Sequence, residues 1–422
     1  MSDAPLPSAC DVLVVGAGPA GSACAQMLAR AGLDTVLVDQ HDFPRDKICG
    51  DGLIPDAHHA LKRLGVYDEV MREATPARHV GCIGPRGGRV DVPGSLAVLP
   101  RKRLDHILAS AAQRAGAKFL TPVRFEAPLV EGDAPDALQA ELRGRVVGAR
   151  LQAGDAAHEI RCRWLVLASG APPQAMIAAG LNRRRTPTGV ALRGYVRHEG
   201  LAGRLRALEI VWHPRLRQGY GWIFPGPDAT FNIGVGLSDS FSLVGSGRLK
   251  MQDVNLREVF DAFCAVYPPA AELMRDGTPL GPLKGAPLRC SLDGAWYSRA
   301  GALATGEAIG STYAFSGEGI GKAMETGLLA AEAIVAGQAR GSDEAEVRRG
   351  YEAAIAALAP KFELYRKASR VNAHPWLADL VIWRARRSER ILRRMSGVLE
   401  ETSNPGNLVS LRGIAKLFLP IR

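Results

Sequence analysis

Over the first forty residues, short apolar runs alternate with a stretch of helical composition. Asp11-Val-Leu-Val-Val15 is β-branched and uncharged after its first residue, the pattern of a strand buried on both faces. Gly16-Ala-Gly-Pro-Ala-Gly21 follows, then an Ala/Leu-rich helical segment over 22–30 with Gly32 placed to stop it. Thr35-Val-Leu-Val38 reads as a second buried strand, ending at Asp39. The order strand, glycine turn, helix, strand predicts a βαβ unit. Downstream, the pattern predicts a helix over 56–72, extended chain over 80–99, a helix over 101–115, a strand over 118–125, hairpins over 131–160 and a buried strand over 164–168.

Between 186 and 237 the period changes to strands with interleaved aromatics, as in an antiparallel sheet. A helix is predicted over 255–266, small apolar residues return at 301–305, and a glycine-rich turn opens a helix reaching 336. From 343 the pattern is helical to the end, punctuated by Pro360, Pro375 and Pro405. The fold class expected is α/β: a Rossmann-like nucleotide-binding domain, an inserted antiparallel-sheet substrate domain and a helical C-terminal region. The nucleotide-binding segments are expected at 1–75, 101–185 and 296–340, the substrate-domain segments at 76–100 and 186–295, and the basic helical region at 341–422.

With 47% hydrophobic and 23% charged residues in 422, the chain is globular, and no apolar stretch is long enough to cross a bilayer. The N-terminus has no basic region followed by an apolar run, so no secretory signal is expected. Seven scattered cysteines without a C-x-x-C, and nine histidines without metal-ligand spacing, predict neither disulfides nor a metal site and fit a reducing cytoplasm. The net charge of +10 is concentrated at one end: 364–422 holds twelve Lys/Arg against four Asp/Glu, and the rest is nearly neutral. No recognised nucleic-acid-binding fold surrounds the basic run, so no nucleic-acid partner is expected.

The glycine turn carries the strongest chemical signal. Gly16 permits the tight turn, Gly18 lets the backbone approach a pyrophosphate, and Gly21 lets the helix pack on the sheet. Asp39, 23 residues after Gly16, stands where a carboxylate accepts hydrogen bonds from ribose hydroxyls. This fingerprint alone does not separate NAD from FAD.

Four further segments do: Phe43-Pro-Arg-Asp-Lys-Ile-Cys-Gly-Asp-Gly-Leu-Ile-Pro55, Gly219-Tyr-Gly-Trp-Ile-Phe-Pro225, Phe231-Asn-Ile-Gly-Val-Gly236, and Gly317-Glu-Gly-Ile320 followed by Met324-Glu-Thr-Gly327. Over roughly 10–340 the chain resembles the geranylgeranyl reductase family of flavoproteins, within the p-hydroxybenzoate-hydroxylase-like superfamily. The resemblance implies tightly held FAD. Gly16, Gly18 and Gly21 would hold its pyrophosphate and Asp39 its adenosine ribose, with Pro19, Ala20 and Gln40 among the cofactor-binding residues. Arg45 and Arg101 would touch phosphate or ribityl groups, and Val123 would line the adenine through its backbone. Gly50, Ser169, Gly170, Gly306 and Glu307 would complete the cofactor contacts. Gly317, Gly319 and Ile320 would present amides near the flavin's pyrimidine edge, where amides stabilise negative charge on reduced flavin.

Two positions depart from the family pattern. Glu307 stands where the family usually has Asp, and Ala168-Ser169-Gly170 replaces Ala-Asp-Gly, removing a carboxylate that in relatives assists both FAD and pyridine-nucleotide contacts. With one fingerprint in the chain, either NAD(P)H is the electron donor and binds transiently across the FAD domain, or the reductant is another protein or a quinol.

Cys49 lies in the segment the family places beside the flavin, either as a proton donor or pocket polar group, or as a small buried residue. Asp51 and Lys47 read equally as solvated loop charges or a local ion pair. Tyr220, Trp222 and Phe224 alternate, so all three share one face of a strand. They form either an aromatic wall for a lipophilic or planar substrate or part of a core. Cys49, Tyr220 and Trp222 are the candidate catalytic residues. His58 and His59 are expected as surface or capping residues of a helix.

In the tail, a helical projection from Leu380 gathers Val381, Ile391, Leu392, Met395, Val398 and Leu399 on an arc of about 120°. Arg386, Arg387, Arg390, Arg393 and Arg394 fall on another arc, and Trp383 and Arg384 break the pattern. Such a helix either lies on an anionic membrane or packs on its own domain with a solvated arginine face. The resemblance implies an FAD-dependent oxidoreductase reducing C=C bonds of a lipophilic prenyl substrate, located in the cytoplasm or peripherally at the inner face of the membrane. Monooxygenation of an aromatic substrate, and a membrane-associated electron-transfer flavoprotein, are the other readings. The last lacks any Fe–S cysteine spacing to relay electrons.

Overall fold

A computed structural model describes residues 6–132, 143–182, 186–216, 219–238 and 254–405. Two sheets organise these residues. In the first, the strands Ala302–Ala304, Ala156–Leu167, Ala9–Val15, Thr35–Val38 and Lys118–Leu120 run parallel in that spatial order. Val12 to Val14, Val36 to Val38 and Leu165 to Leu167 have no exposed surface, as expected where helices cover both faces of a parallel sheet. The predicted βαβ unit is present, with the helix Pro19–Arg30 ended at Gly32, whose φ is 83°. That helix packs closely along the helix Ile320–Arg340. A Cβ on Gly327 would overlap the Ala20 carbonyl, so small residues set the approach of the two backbones.

The second sheet orders Thr278–Pro279, Gly189–Arg197, Thr230–Ser238, Gly219–Pro225, Leu208–Val211, Thr75–Ile83, Arg89–Val98 and Gly52–Leu53, with Lys284–Leu288 also paired to Gly189–Arg197. It is antiparallel except where Leu208–Val211 runs parallel to Thr75–Ile83. On one side, the helices Leu256–Val266 and Pro268–Asp276 cover it. On the other, the helices Trp376–Ala385 and Glu389–Leu399 bring Leu377, Val381 and Ile382 onto Val80, Val90 and Val92.

Several expected elements are subdivided. The helix expected over 56–72 is two helices, Pro55–Leu64 and Tyr67–Glu73, because Gly65 adopts a left-handed cap with φ of 72°. The strand expected over 118–125 breaks at 120, and Arg124–Glu131 leaves to pair with Arg145–Ala153. Part of the hairpin region, 133–142, lies outside the described residues, as does the tail beyond 405. Pro360 does not end its helix, which runs Glu344–Ala368. Both Pro360 and Ala356 are exposed, so water can satisfy the carbonyl that proline leaves unpaired. The projected tail helix is interrupted at 386–388. Among the described residues no helix is long and apolar enough to cross a membrane.

Candidate active site

The turn after Ala9–Val15 has no space for a side chain at two of its glycines. A Cβ on Gly16 would overlap the Ala168 carbonyl, and one on Gly21 would overlap the Gly16 carbonyl. Gly16 has φ of 101°, which only glycine adopts without strain. At Gly18 the space opens onto two guanidinium groups, with Arg101 Nη2 and Arg45 Nη2 3.7 and 3.8 Å from where a Cβ would stand. The helix begun at Pro19 has no side-chain cap and no acidic residue in its first turn, which leaves its leading amides for an anion. Ser169, whose amide packs against Gly16, has a buried hydroxyl without a hydrogen-bond partner among the described residues. A backbone cradle, two cations, uncapped amides and an orphaned hydroxyl fit the diphosphate of a dinucleotide.

One buried carboxylate positions both arginines. Asp105 accepts from Arg45 Nη1 at 2.8 Å and from Arg101 Nε and Nη2 at 2.7 and 2.8 Å. Asp39 braces the turn: its Oδ2 accepts the Ala17 N–H at 2.9 Å and its Oδ1 the His41 N–H at 3.0 Å. The Asp39 carbonyl accepts the Val123 N–H at 2.7 Å, which sets Val123 beside it, whereas the Gln40 side chain is exposed. Gly170 follows Ser169 with φ of 74°.

The segment 46–51 is fastened to the second sheet. Arg193, buried, donates to Asp46 Oδ1 at 2.5 Å and to the Lys47 carbonyl at 3.3 Å, and its guanidinium lies 4.0 Å from the Tyr195 ring centroid. Asp51 is fully buried, with φ of 65°. Its Oδ1 accepts the Arg101 N–H at 3.2 Å, and its Oδ2 accepts Tyr195 O–H at 2.5 Å and Asn232 Nδ2 at 2.7 Å. Asn232 also donates to the Cys49 carbonyl at 2.7 Å and accepts from Trp222 Nε1 at 2.9 Å. Asp51 is therefore neither a solvated charge nor half of a local ion pair. Burial pushes its carboxyl up to about 6, against the pull of the Tyr195 and Asn232 donors. Burial also raises the Cys49 thiol, which stays neutral near pH 7 and accepts the Asp51 N–H at 3.4 Å.

Tyr220, Trp222 and Phe224 do share a face. Neighbouring ring centroids are 6.2 and 6.4 Å apart, and Trp212 and Phe315 extend the patch. On the opposite face a Cβ on Gly221 would overlap the Phe263 ring, so the bare strand admits the helix Leu256–Val266. Gly234 lies opposite Trp222 in the neighbouring strand, and a Cβ there would overlap the indole. Tyr220 donates its hydroxyl to the Ser316 carbonyl at 2.5 Å and abuts Gly317. Gly50 faces Phe224 and Trp222 at 3.2 and 3.6 Å from its Cβ position, which brings the Cys49 loop to the same aromatic patch.

The return segment completes the enclosure. Gly306 packs on Ala20 and donates its N–H to Thr326 Oγ1 at 3.0 Å, and Glu307 Oε1 accepts the Arg289 N–H at 3.4 Å. Gly317 has φ of 70°, and the helix Ile320–Arg340 begins after Gly319 with no side-chain cap and no acid in its first turn. Between this turn, the aromatic patch and the C-terminal helices lies a cavity of about 120 Å³, lined by Val80, Ile210, Tyr220, Phe315, Val381 and Met395 among others. Asn372 fixes its roof, accepting from Trp212 Nε1 at 2.8 Å and donating to the Phe315 carbonyl at 3.2 Å.

The structure thus gathers the glycine turn, Asp39, Arg45, Arg101, Val123 and Ser169 at one end. It gathers Cys49, Gly50, Tyr220, Trp222, Gly317 and Gly319 at the other, and Gln40 stands apart. Sequence reasoning missed Arg193, Tyr195 and the role of Asn232. The available signal was polarity: Arg193 and Tyr195 share one face in the interior of a strand whose other interior residues are apolar or glycine, and Asn232 interrupts another. His58 was misplaced as well. It is buried with its ring edge against Tyr67, and burial takes its imidazole down to about 4. In the tail, the apolar arc is spent inside the molecule: Leu399 packs toward Gly94 and Ser396 Oγ donates to the Pro93 carbonyl at 2.7 Å, while Arg386, Arg387, Arg390, Arg393 and Arg394 are exposed.

Comparison with known proteins agrees with this geometry. An FAD-binding domain model matches residues 9–195. A menaquinone reductase of Mycolicibacterium smegmatis is 34% identical over 349 residues, covering 78% of this chain and 76% of that protein. A digeranylgeranylglycerophospholipid reductase of Methanopyrus kandleri is 28% identical, covering 77% of this chain and 80% of its own. Among solved structures, a geranylgeranyl bacteriochlorophyll reductase-like protein from Thermoplasma acidophilum superposes with a TM-score of 0.69 at 20% identity, covering 97% of this chain and 96% of that one, which speaks to fold alone.

Proposed function

Because the chain belongs to the geranylgeranyl reductase family of FAD-dependent oxidoreductases, we propose that it saturates C=C bonds in the isoprenoid chain of a quinone or lipid. The observation that carries this reading is the apolar cavity bounded by Tyr220, Phe315 and the Gly317 turn. A hydrocarbon chain gains by leaving water for such a lining, at about 25 cal/mol per Å² of apolar surface buried. Bound FAD supplies the hydride when reduced. The chain's own residues hold it and position the alkene. Gly16, Gly18, Pro19, Ala20, Gly21, Arg45 and Arg101 take the diphosphate, Asp39 the ribose, and Ser169 offers its unpartnered hydroxyl. The amides of Gly319 and Ile320, at the uncapped start of their helix, face the pyrimidine edge, whereas the Gly317 N–H, expected from the sequence to join them, is donated to the Tyr313 carbonyl at 2.9 Å. Tyr220 walls the alkene, with Trp222 packed beside it and Cys49, a neutral thiol, on the loop that faces Trp222.

Two further parts of the reading concern partners. NAD(P)H acts as a transient donor, docking against the FAD domain without a fingerprint of its own. The exposed arginines of 386–394, with Trp376 and Trp383 at 57% and 40% exposure, meet an anionic membrane that holds the substrate. Since the apolar arc of these helices is used internally, contact is by charge and indole rings, without burial of a helix face. The test is mass spectrometry of quinones and lipids from cells with and without the protein. Accumulation of a more unsaturated prenyl species in its absence supports the reading, and an unchanged profile overturns it.

A further inference from the structure

Saturating an isolated alkene requires a proton donor as well as a hydride, and an alkene is too weak a base to take a proton from water in a dry pocket. The donor must stay protonated near neutral pH and touch the substrate. Glu318 is the one carboxyl-bearing residue lining the apolar cavity among the described residues. It stands in the Gly317-Glu-Gly319 turn between Tyr220 and the start of the helix Ile320–Arg340, and its Oε2 is sealed from solvent without a hydrogen-bond partner among the described residues. The other candidates are otherwise engaged. The Tyr220 hydroxyl is donated to the Ser316 carbonyl, and Cys49 is not among the cavity's lining residues.

We propose that Glu318 is the general acid of this site. The inference rests on the prenyl-reductase reading above. In the step, one alkene carbon accepts a hydride from reduced flavin, and the π pair forms a C–H bond at the other carbon with the Glu318 proton. The double bond becomes a single bond, the flavin is left oxidised, and Glu318 is left as a carboxylate that regains its proton from solvent.

The surroundings hold that proton in place. Burial, then the facing Asp56 and Glu401, push the Glu318 carboxyl well above the usual range, and the Ser316 hydroxyl and Lys322 oppose this without prevailing. The charges come from every element packed there. Asp56 belongs to the helix Pro55–Leu64, and burial pushes it up to about 7. Lys322 and Glu325 belong to the helix Ile320–Arg340, with Lys322 Nζ 2.6 Å from Glu325, 2.7 Å from Glu401 and 4.0 Å from Asp56. Burial alone would lower the Lys322 ammonium, but these three carboxylates raise it. Glu401 also accepts Tyr313 O–H at 2.8 Å and Lys361 Nζ at 2.6 Å, which satisfies it as an anion and leaves none of these donors to Glu318. Tyr365 lines the cavity and gives its hydroxyl to the Val398 carbonyl. Glu325 and Lys361 are partly exposed, so the edge of the cluster reaches the water that resupplies the proton.

The test compares the wild-type holoprotein with Glu318→Gln and Glu318→Asp. Infrared difference spectra at neutral pH should contain a protonated-carboxyl band that is deuterium-sensitive and absent from Glu318→Gln. Flavin content and the rate of flavin reduction by dithionite should match wild type. Anaerobic saturation of a geranylgeranyl lipid without a quinone ring by the reduced holoprotein, read as gain of two hydrogens by mass spectrometry, should slow about a hundredfold or more in Glu318→Gln, with partial recovery in Glu318→Asp. Undiminished prenyl reduction by Glu318→Gln, or no band difference between it and wild type, overturns the assignment while leaving the reading of the cavity standing. Failure of the wild-type protein to reduce any prenyl chain sinks both.

Discussion

Tyr195→Phe isolates the hydrogen bond that most directly governs the buried Asp51. The substitution removes the O–H donated to Asp51 Oδ2 at 2.5 Å and leaves the ring beneath the Arg193 guanidinium. In the wild-type protein, burial moves Asp51 from 3.8 to about 6, so its ionised form is disfavoured by on the order of 3 kcal/mol. A carboxyl raised in this way makes the folded state bind the extra proton. Stability therefore falls as pH rises from the ordinary value of 3.8 to about 6, and the whole penalty is present above that. Loss of the Tyr195 donor raises Asp51 further. At about pH 8 the variant should lose about 2 kcal/mol, the worth of a hydrogen bond to a charged group. At about pH 5, where Asp51 is already neutral, it should lose about 1 kcal/mol. Urea unfolding of the holoprotein at both pH values measures the difference. An equal loss at the two pH values, or none at either, would refute the placement of a titrating carboxyl at this node.

Three other outcomes follow from the geometry. Gly21→Ala puts a methyl group into the Gly16 carbonyl, so the purified protein should lose its flavin absorbance, whereas Gly350→Ala, which meets nothing, should keep it. Val381→Trp fills the cavity from its roof, so it should leave flavin content intact and raise the KM for a prenylated quinone at least tenfold, read by steady-state kinetics. Replacing Arg390, Arg393 and Arg394 by Gln should weaken sedimentation with anionic vesicles by about 3 kcal/mol, roughly a hundredfold, and leave unfolding unchanged, because all three are exposed.

What the sequence made legible was chemistry imposed by local backbone geometry. The glycines at 16 and 21 are required by contacts within one turn and its neighbouring strand, and Gly18 faces the two arginines, so residue type and spacing carried the information. The alternation of Tyr220, Trp222 and Phe224 likewise follows from strand geometry, and the three rings do share a face. Long-range assembly was not legible. Asp51, Tyr195 and Asn232 come from three separated segments, and only the fold brings their polar atoms within hydrogen-bond distance. Glu318 sits inside a recognisable Gly-Glu-Gly turn, but its neighbours Asp56, Lys322 and Glu401 arrive from elsewhere in the chain. The tail's apolar arc was visible, but the break at 386–388 and the sheet that covers it depend on tertiary packing.

The most direct measurement is anaerobic: holoprotein reduced to one equivalent is mixed with a quinone or lipid bearing an unsaturated isoprenoid chain, and the product is weighed by mass spectrometry. Reduction of the chain predicts a product heavier by two hydrogens per flavin reoxidised, with the quinone ring unaltered. Recovery of unchanged substrate, or a product that gains an oxygen atom once air is admitted, would contradict a prenyl reductase.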